Sequence, residues 1–339
     1  MIIDAHSHGF DGTSIDKLED AGGDWAKKVV ARERKRADDR PHYFDVAMNV
    51  ERLNRLGYDL AVVTPLIFID PNRYPGDMAT RVKIAGAIND NMARLMAASK
   101  GKLLAVGTVP PDGMEHGSRQ EMERAIKGLG LKGMNLPTNV HGRPLDAPEF
   151  EQFWAQVSAL DIPVFTHPQD PVEQCGRTAE ADYWLSTTLR WPFETSIMLC
   201  RLVFSGVMER YPNLKIIGHH LGGGMLPFFW GRINEVYDRT GTVDGLLSAQ
   251  DLITTLPRPL EDYFSRFYYD TAVLGTAPVK CAYEAFGVDQ LVFASDAPFG
   301  PEKGERRLKD YPAQIKLLGL PDAETEKIMS GNIRRVLKI

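Results

Sequence analysis

Residues 1–10 read MIIDAHSHGF, a short apolar run that leads directly into two histidines spaced two positions apart. The apolar run at residues 1–5 predicts a buried strand. A doubly wound open sheet usually carries a glycine-rich nucleotide loop after its first strand, whereas this strand ends in His6-Ser7-His8. In an α/β barrel, reactive side chains lie at the C-terminal ends of the strands. The opening segment therefore favours a barrel over a doubly wound sheet.

Seven more short apolar runs follow along the chain. They lie at residues 60–64 (LAVVT), 103–108 (LLAVGT), 132–136 (KGMNL), 162–166 (IPVFT), 214–218 (LKIIG), 267–270 (FYYD) and 291–295 (LVFAS). Stretches with apolar residues three and four apart separate them, as at 79–99 and 119–129. Eight strands that alternate with helices predict an α/β fold of the (β/α)8 TIM-barrel type.

Three regions depart from the strict alternation and predict helical and loop insertions. Residues 9–43 are charged and helical in pattern, residues 168–190 form a long loop after the fifth strand, and residues 239–262 form an excursion before the seventh. Long loops in compact domains often act as lids or interface elements. No internal repeat, low-complexity tract or linker interrupts the sequence, so residues 1–339 are expected to form a single domain.

Composition argues against several classes of protein. The 339 residues carry a formal net charge of −5, which gives no reason to expect nucleic acid or an anionic membrane as a partner. Three cysteines without a CxxC spacing argue against a disulfide framework or a thiolate metal site, and they favour a cytoplasmic location. No basic segment precedes an apolar run at the N-terminus, and no run approaches the roughly 20 apolar residues of a membrane span. We therefore expect neither a signal peptide nor a membrane anchor.

Four side chains at predicted strand ends have the chemistry of metal ligands. His6 and His8 are expected to point to one side of the first strand, because alternate residues of a strand share a face. His167 ends the fifth strand in FTHPQD, and Asp296 ends the eighth in ASDAPFG. Three imidazoles and a carboxylate suit one Zn2+ ion and also accept Mn2+ or Fe2+. An isolated HxH is weak, but the joint pattern predicts a metal site at the barrel mouth.

The sixth predicted strand ends in GHHLGGGMLP, residues 218–227. Because a strand alternates, one of His219 and His220 is expected to face inward; we favour His220, with His219 packed behind the barrel. An inward imidazole beside a metal-bound water can take its proton or polarise a substrate. The glycines at 222–224 lack the Lys and Ser/Thr of a P-loop, so they favour close approach of the backbone to the site over a phosphate cradle.

With these residues in place, the chain resembles the amidohydrolase superfamily, and within it the branch typified by aminocarboxymuconate-semialdehyde decarboxylase. The likeness runs through DAHSH (4–8), FTHPQD (165–170), GVMERYPNLKIIGHHLGGGMLPFFWGRI (206–233), SDAPFG (295–300) and MSGNIRRVLK (329–338). The resemblance implies one divalent metal, activation of a metal-bound water by His220, and a homodimer. It implies metal ligands at His6, His8, His167 and Asp296. Arg232, in the GRI motif, matches an arginine that in the decarboxylase reaches across a dimer interface to a substrate carboxylate.

Two departures from the family pattern bear on the site. The decarboxylase has histidine directly before its GGG, whereas here Leu221 intervenes and leaves a choice between His219 and His220. The decarboxylase also has a second substrate arginine just before its second strand. The nearby Arg52 and Arg55 are out of register with that position.

Two further features bear on the metal count and the substrate. Binuclear members of the superfamily bridge two metals with a carbamylated lysine at the end of the fourth strand. Here Lys132 begins that strand and Asn135 lies near its end, which implies a single metal. The resorcylate-type aromatic decarboxylases begin with ExH, whereas this chain has HxH. Resorcylate-type acids are therefore the less favoured substrates among those considered.

The expected reaction is non-oxidative decarboxylation of a small unsaturated or aromatic carboxylic acid. His220 and Asp296 are expected to handle the proton, and Arg232 to anchor the substrate carboxylate. Hydrolysis of a carbon–carbon, ester, lactone or amide bond is the alternative, because the same ligands support it. A catalytically silent homologue is a third interpretation, which the intact ligand set disfavours. Candidate walls of an apolar pocket are Trp184, Trp191 and Phe228.

Overall fold

The computed structural model describes residues 1–65, 67–169, 183–238, 256–273 and 275–339. Parallel strands overlap all eight predicted runs: β1 Ile3–His8, β2 Leu60–Thr64, β3 Leu103–Ala105, β4 Met134–Pro137, β5 Pro163–His167, β6 Lys215–Gly218, β7 Tyr268–Asp270 and β8 Leu291–Val292. A short antiparallel hairpin of Asn139–Val140 with Arg143–Pro144 follows β4. The insertions predicted at 168–190 and 239–262 fall largely on residues 170–182 and 239–255, which lie outside the described residues.

The strands close into a barrel. β1, β2 and β3 form one hydrogen-bonded parallel sheet, and β4 to β8 form a second one in chain order. A parallel bridge between Gly107 and Met134 joins β3 to β4. Across the seam between β1 and β8, the Ala5 nitrogen donates to the Phe293 oxygen at 2.8 Å. The predicted (β/α)8 barrel is confirmed, and the C-terminal ends of its parallel strands share one face.

Helices follow the predicted amphipathic stretches. They are α1 Asp16–Asp39, α2 Val46–Arg55, α3 Met78–Ala98, α4 Glu151–Leu160, α5 Trp191–Phe204, α6 Trp230–Asp238, α7 Thr276–Phe286, α8 Glu305–Lys316 and α9 Asn332–Leu337, with shorter helices at Arg119–Glu123, Val207–Arg210, Leu260–Phe264 and Asp322–Glu326. α1 forms the predicted insertion at 9–43, breaks at Gly23 and contacts α3. The side chains of Asp45 and Asp77 accept backbone hydrogen bonds at the starts of α2 and α3. Every helix in the described ranges is too short or too polar to cross a membrane.

Two apolar layers stabilise the barrel. The interior layer includes Val62, Phe165 and Ile217 from the strands and Ile333 and Val336 from α9. A larger outer layer packs the strands against the surrounding helices. Because the strands are buried on both faces, their sequences are nearly continuous apolar runs. Full burial of each large aliphatic or aromatic side chain contributes about 1.5–3 kcal/mol to stability.

A bulge in β1 aims its histidines. Pairing with β2 runs Ile3 to Leu60 and Asp4 to Ala61 but resumes with Ser7, so the register shifts between Asp4 and Ser7. Ile3 belongs to the interior layer, while His6 contacts other site residues at the barrel mouth. We attribute this change of parity to the bulge, because an extra residue re-aims the side chains that follow it. In an unbroken strand, the alternation of side chains would not place both Ile3 and His6 inside the barrel.

Candidate metal centre

The four predicted metal ligands meet at one end of the barrel. β1 carries His6 and His8, β5 ends at His167, and Asp296 follows β8. The ligand nitrogens of the three histidines lie within 4.8 Å of one another. His8 Nε2 lies 3.0 Å from His6 Nε2 and 3.2 Å from the Oδ1 atom of Asp296. Donor atoms around a tetrahedral zinc ion lie ~3.3 Å apart, given bonds of about 2.0–2.1 Å, so this spacing suits a single ion.

Hydrogen bonds at Nδ1 orient two of the three imidazoles. His6 Nδ1 lies 2.9 Å from the Oδ2 atom of Asp270, and His167 Nδ1 lies 2.9 Å from the carbonyl oxygen of Pro168. A carbonyl oxygen and a carboxylate can only accept hydrogen bonds, and Asp270 acts here as a carboxylate although burial raises its pKa. Each Nδ1 atom therefore carries the ring proton, which leaves the Nε2 lone pair free.

The third imidazole is oriented in the same way by a hydroxyl. His8 Nδ1 lies 2.9 Å from Thr64 Oγ1, and that hydroxyl donates its single hydrogen to the carbonyl oxygen of Ser7 at 3.2 Å. Thr64 therefore accepts from His8, whose Nε2 lone pair also remains free. Thr64 ends β2, and sequence reasoning did not identify it as part of the site.

Unprotonated acceptors converge between these side chains. Burial lowers the pKa of His6 and of His167 well below the ordinary histidine value, so both rings are neutral. Burial raises the pKa of Asp296, but its interactions with His220 and the other neighbouring histidines outweigh the burial and hold that pKa well below its usual range. Nitrogen lone pairs and a carboxylate this close repel one another unless a cation lies among them. The residues therefore fit a divalent metal ion with nitrogen and oxygen ligands.

Sequence reasoning missed Asp270, the last residue of β7. Its Oδ2 atom contacts His6, while its Oδ1 atom accepts hydrogen bonds from the backbone nitrogens of His220 at 2.8 Å and Ala272 at 3.0 Å. One carboxylate thus orients a proposed ligand and fixes the backbone that follows β6. The available signal was an acidic residue at the end of an apolar run, FYYD, at the same barrel face as the other site residues.

Both histidines after β6 contact the site, in different ways. His220 Nε2 lies 3.8 Å from Asp296 Oδ2, in the inward orientation expected for it. The His219 ring stacks on the His6 ring with 3.4 Å between centroids, rather than packing behind the barrel as expected. Strand alternation fails here because β6 ends at Gly218. The chain then turns, with left-handed φ values of 56° at His220 and 57° at Leu221, and this turn accommodates the intervening leucine.

A third missed residue, Arg307, lies in the first turn of α8. Its Nη1 atom donates to the Oδ2 atom of Asp296 at 2.5 Å. The Asp296 carboxylate therefore faces His8 with Oδ1, and faces Arg307 and His220 with Oδ2. No strand-end signal marks Arg307, because it lies on the helix after β8.

Of the other candidate residues, Trp191 lies beside this centre, whereas Arg232, Trp184 and Phe228 are exposed. Arg232 is exposed on α6. Trp184 and Phe228 are 78% and 76% exposed, so the prediction that they wall a pocket is not met within one chain. The Trp191 ring does lie 5.5 Å from the ring of His167, where it can contact a bound molecule.

The arginines near the second strand are engaged elsewhere. Arg52 donates to the Asn49 side chain at 2.8 Å and to the Lys303 carbonyl oxygen at 3.3 Å. Arg55 forms a two-pronged ion pair with Glu305. Neither of these contacts involves a residue of the candidate centre, which agrees with their being out of register in the sequence.

The chain is similar in sequence to known proteins along nearly its whole length. A family model described as Amidohydrolase matches residues 3–339. The 2-amino-3-carboxymuconate-6-semialdehyde decarboxylase of Dictyostelium discoideum is 29% identical over 259 residues, which cover 76% of this chain and 67% of that protein. The gamma-resorcylate decarboxylase of Polaromonas sp. strain JS666 is 28% identical over 266 residues, which cover 74% of this chain and 75% of that protein.

Solved structures share the fold. The 5-carboxyvanillate decarboxylase LigW from Sphingomonas paucimobilis superimposes with a TM-score of 0.81 at 22% identity, over 100% of this chain and 99% of that one. The dihydroxybenzoic acid decarboxylase of Polaromonas sp. JS666, solved with manganese and the inhibitor 2-nitroresorcinol, has a TM-score of 0.76 at 23% identity. That match covers 99% of this chain and 96% of the other.

Proposed function

Because the chain belongs to the amidohydrolase family, we propose that it is a divalent-metal-dependent decarboxylase of a small unsaturated or aromatic carboxylic acid. The observation that carries this proposal is the convergence of three imidazole Nε2 atoms and the Asp296 carboxylate at one mouth of the barrel. Relatives that are 29% and 28% identical are decarboxylases, which supports this reaction. Those two identities differ too little to rank muconate-type above resorcylate-type substrates.

The proposed metal ligands are His6, His8, His167 and Asp296. Three imidazoles and one carboxylate suit Zn2+, and we propose zinc as the resident ion. The manganese in the Polaromonas relative supports a divalent ion in this fold and leaves Mn2+ as an alternative. A single ion is proposed, since the chain has Asn135 near the end of β4, where binuclear enzymes have a lysine. When bound, such an ion supplies Lewis-acid polarisation of a substrate oxygen.

We assign the proton to the pair formed by His220 and Asp296. Their nearest atoms are 3.8 Å apart, and both face the mouth of the barrel beside the proposed ligands. In the proposed reaction, the carbon that bears the carboxylate takes a proton from this pair. The bond to the carboxyl carbon then breaks, its electron pair restores the π system, and carbon dioxide leaves. Positioned proton donors of this kind contribute roughly 100- to 10,000-fold to rate.

A second copy of the chain is proposed to complete the enzyme. Arg232 is exposed on α6, and its proposed role is at a substrate carboxylate in the partner of a homodimer. Exposed large apolar side chains precede it along the chain, and such surfaces are commonly covered by another protein. They include Leu189, Phe193, Ile197, Phe228 and Phe229. Nucleic acid and membrane are not among the proposed partners, and the sparse cysteines support a cytoplasmic location.

Two alternatives remain distinguishable by experiment. A hydrolase would use the same ligands on a carbon–carbon, ester, lactone or amide bond, but the relatives reported above favour carbon dioxide release over hydrolysis. A catalytically silent homologue would have no need to keep three oriented imidazoles and a carboxylate in contact.

The test combines metal content with product analysis. We expect purified protein to bind about one Zn2+ or Mn2+ per chain and to release carbon dioxide from at least one member of a panel of hydroxybenzoates and unsaturated acids. Stoichiometric metal with ester cleavage and no carbon dioxide would favour the hydrolase. Protein that takes up neither ion would favour the silent homologue.

A matched pair of histidine variants links the metal to these ligands. His6→Ala should lose metal and activity together, since it removes one of the converging nitrogens. His116→Ala is the control, because His116 is exposed and lies on a segment before Arg119–Glu123. Retention of stoichiometric metal by His6→Ala would count against its role as a ligand.

A further inference from the structure

Arg307 is held against the candidate centre by its contact with Asp296. The Nη1 atom donates to Asp296 Oδ2 at 2.5 Å, and the two side chains are 22% and 12% exposed. The Nε atom of Arg307 is buried and has no hydrogen-bond partner among the described residues. The guanidinium has five N–H groups, and this contact uses one of them, so the side chain can donate further hydrogen bonds.

The segment between β8 and α8 makes room for this guanidinium. Gly300 has a left-handed φ of 97°, and a Cβ atom there would lie 2.5 Å from Arg307 Nε. Gly304, which precedes α8, has a φ of 83°, and a Cβ atom there would lie within 2.6 Å of the Pro298 backbone. Glycine is thus required at two positions that bring the first turn of α8 against Asp296.

The positive charge of Arg307 affects which ligands the candidate centre favours. A fixed guanidinium beside a proposed metal site weakens cation binding, because like charges repel at short range. Asp296 is shared between the imidazoles and Arg307, so its single charge does not neutralise both a divalent ion and the guanidinium. The guanidinium therefore adds a positive charge beside the proposed metal position. A site of this sign is suited to an anionic ligand.

We propose that Arg307 is a specificity-determining residue that binds the carboxylate of the substrate from within the same chain. This inference rests on the proposed function, and it identifies the Arg307 guanidinium as the group that sets the preference for a carboxylic acid. A guanidinium is suited to this task because its planar fork matches a carboxylate. Arg52 and Arg55, the arginines considered from the sequence, are bonded away from the centre.

Binding of matched ligands tests the inference without relying on turnover. Metal-loaded wild-type protein, Arg307→Met and Arg307→Lys are titrated calorimetrically with benzoate and with neutral benzamide; benzoate lacks the ring hydroxyls that promote ring protonation. We expect Arg307→Met to bind benzoate at least about 10-fold more weakly and benzamide within about twofold of wild type. Arg307→Lys keeps the charge but lacks the fork, so an intermediate benzoate affinity is expected.

The control is the neighbouring residue on the same helix turn. Arg306→Met removes a guanidinium that is 61% exposed and pairs only loosely, at 3.6 Å, with Asp310, and it should leave both affinities unchanged. Metal content, measured in every variant, should stay at the wild-type value.

The outcomes separate this inference from the proposed function. Equal weakening of benzoate and benzamide in Arg307→Met and Arg307→Lys would overturn the role of Arg307 while leaving decarboxylation standing. Unchanged benzoate affinity in both variants would do the same. Wild-type protein that binds metal but neither compound would overturn the inference and the proposed function together. If Arg307→Met does not fold, the ratio of benzoate affinity to benzamide affinity in Arg307→Lys decides between these outcomes.

Discussion

Nδ1 of His6 lies 2.9 Å from Oδ2 of Asp270, although the two residues are 264 positions apart in the chain. The contact joins the end of β1 to the end of β7. It fixes the tautomer of His6, because the ring proton is on the nitrogen that faces the carboxylate. It also leaves Nε2 free toward His8 and Asp296, at 3.0 and 3.8 Å.

Replacement of Asp270 tests whether this orientation matters. Asp270→Asn removes the anion behind His6, so we expect the affinity for Zn2+ or Mn2+ to fall about 10- to 100-fold. Competition with a chelator of known affinity measures the change. Asp289→Asn is the control, since Asp289 is half exposed and pairs with Lys327. Wild-type metal affinity in Asp270→Asn would contradict the role given to this contact.

Asp296→Asn separates the role of Asp296 at the site from a role in folding. The amide keeps the shape of the side chain but loses its charge, so we expect kcat to fall by at least about 100-fold. Far-UV circular dichroism should match wild type, because Asp296 lies after β8 and outside the apolar layers. Asp310→Asn, on an exposed face of α8, should retain full turnover. An Asp296→Asn variant with normal kcat would exclude the assigned role.

The interior layer of the barrel predicts a stability difference between two aliphatic truncations. Ile217 on β6 is fully buried, so Ile217→Ala should lower the free energy of unfolding by about 2–5 kcal/mol through lost burial and a cavity. Leu317→Ala is the control, because Leu317 is 75% exposed and should change stability by less than about 0.5 kcal/mol. Urea denaturation measures both, and equal effects would contradict the packing described.

Cysteine alkylation has a defined pH dependence. Burial raises the pKa of Cys200 to about 12, whereas Cys281 is exposed. Only the thiolate reacts, and its fraction falls tenfold for each pH unit below the pKa. At pH 8, iodoacetamide should therefore modify Cys281 and leave Cys200 unmodified, as peptide mass spectrometry can show. Reaction at Cys200 should increase as the pH rises toward 10, and modification of both residues at pH 8 at equal rates would refute the burial argument.

The sequence was sufficient for the barrel and for the placement of four side chains. Strand runs are visible because burial on both faces requires continuous apolar residues. The sequence also predicts that four side chains lie together, because the ends of parallel strands share one barrel face. They are His6, His8, His167 and Asp296. Both predictions depend on local patterns that repeat around the barrel.

The remaining site features depend on contacts that no local pattern encodes. The bulge between Asp4 and Ser7 depends on how β1 pairs with β2. The left-handed turn at His220 lets His219 stack on His6. In an alternating strand, His219 and His220 would instead point to opposite faces. Arg307 reaches Asp296 from a helix whose approach depends on two glycines.

Anomalous diffraction from crystals grown with Mn2+ would locate the ion directly. We predict one strong peak per chain, within coordination distance of the Nε2 atoms of His6, His8 and His167 and of Asp296 Oδ1. No peak at that position, or a peak bound by other side chains, would contradict the metal centre on which the proposed reaction depends.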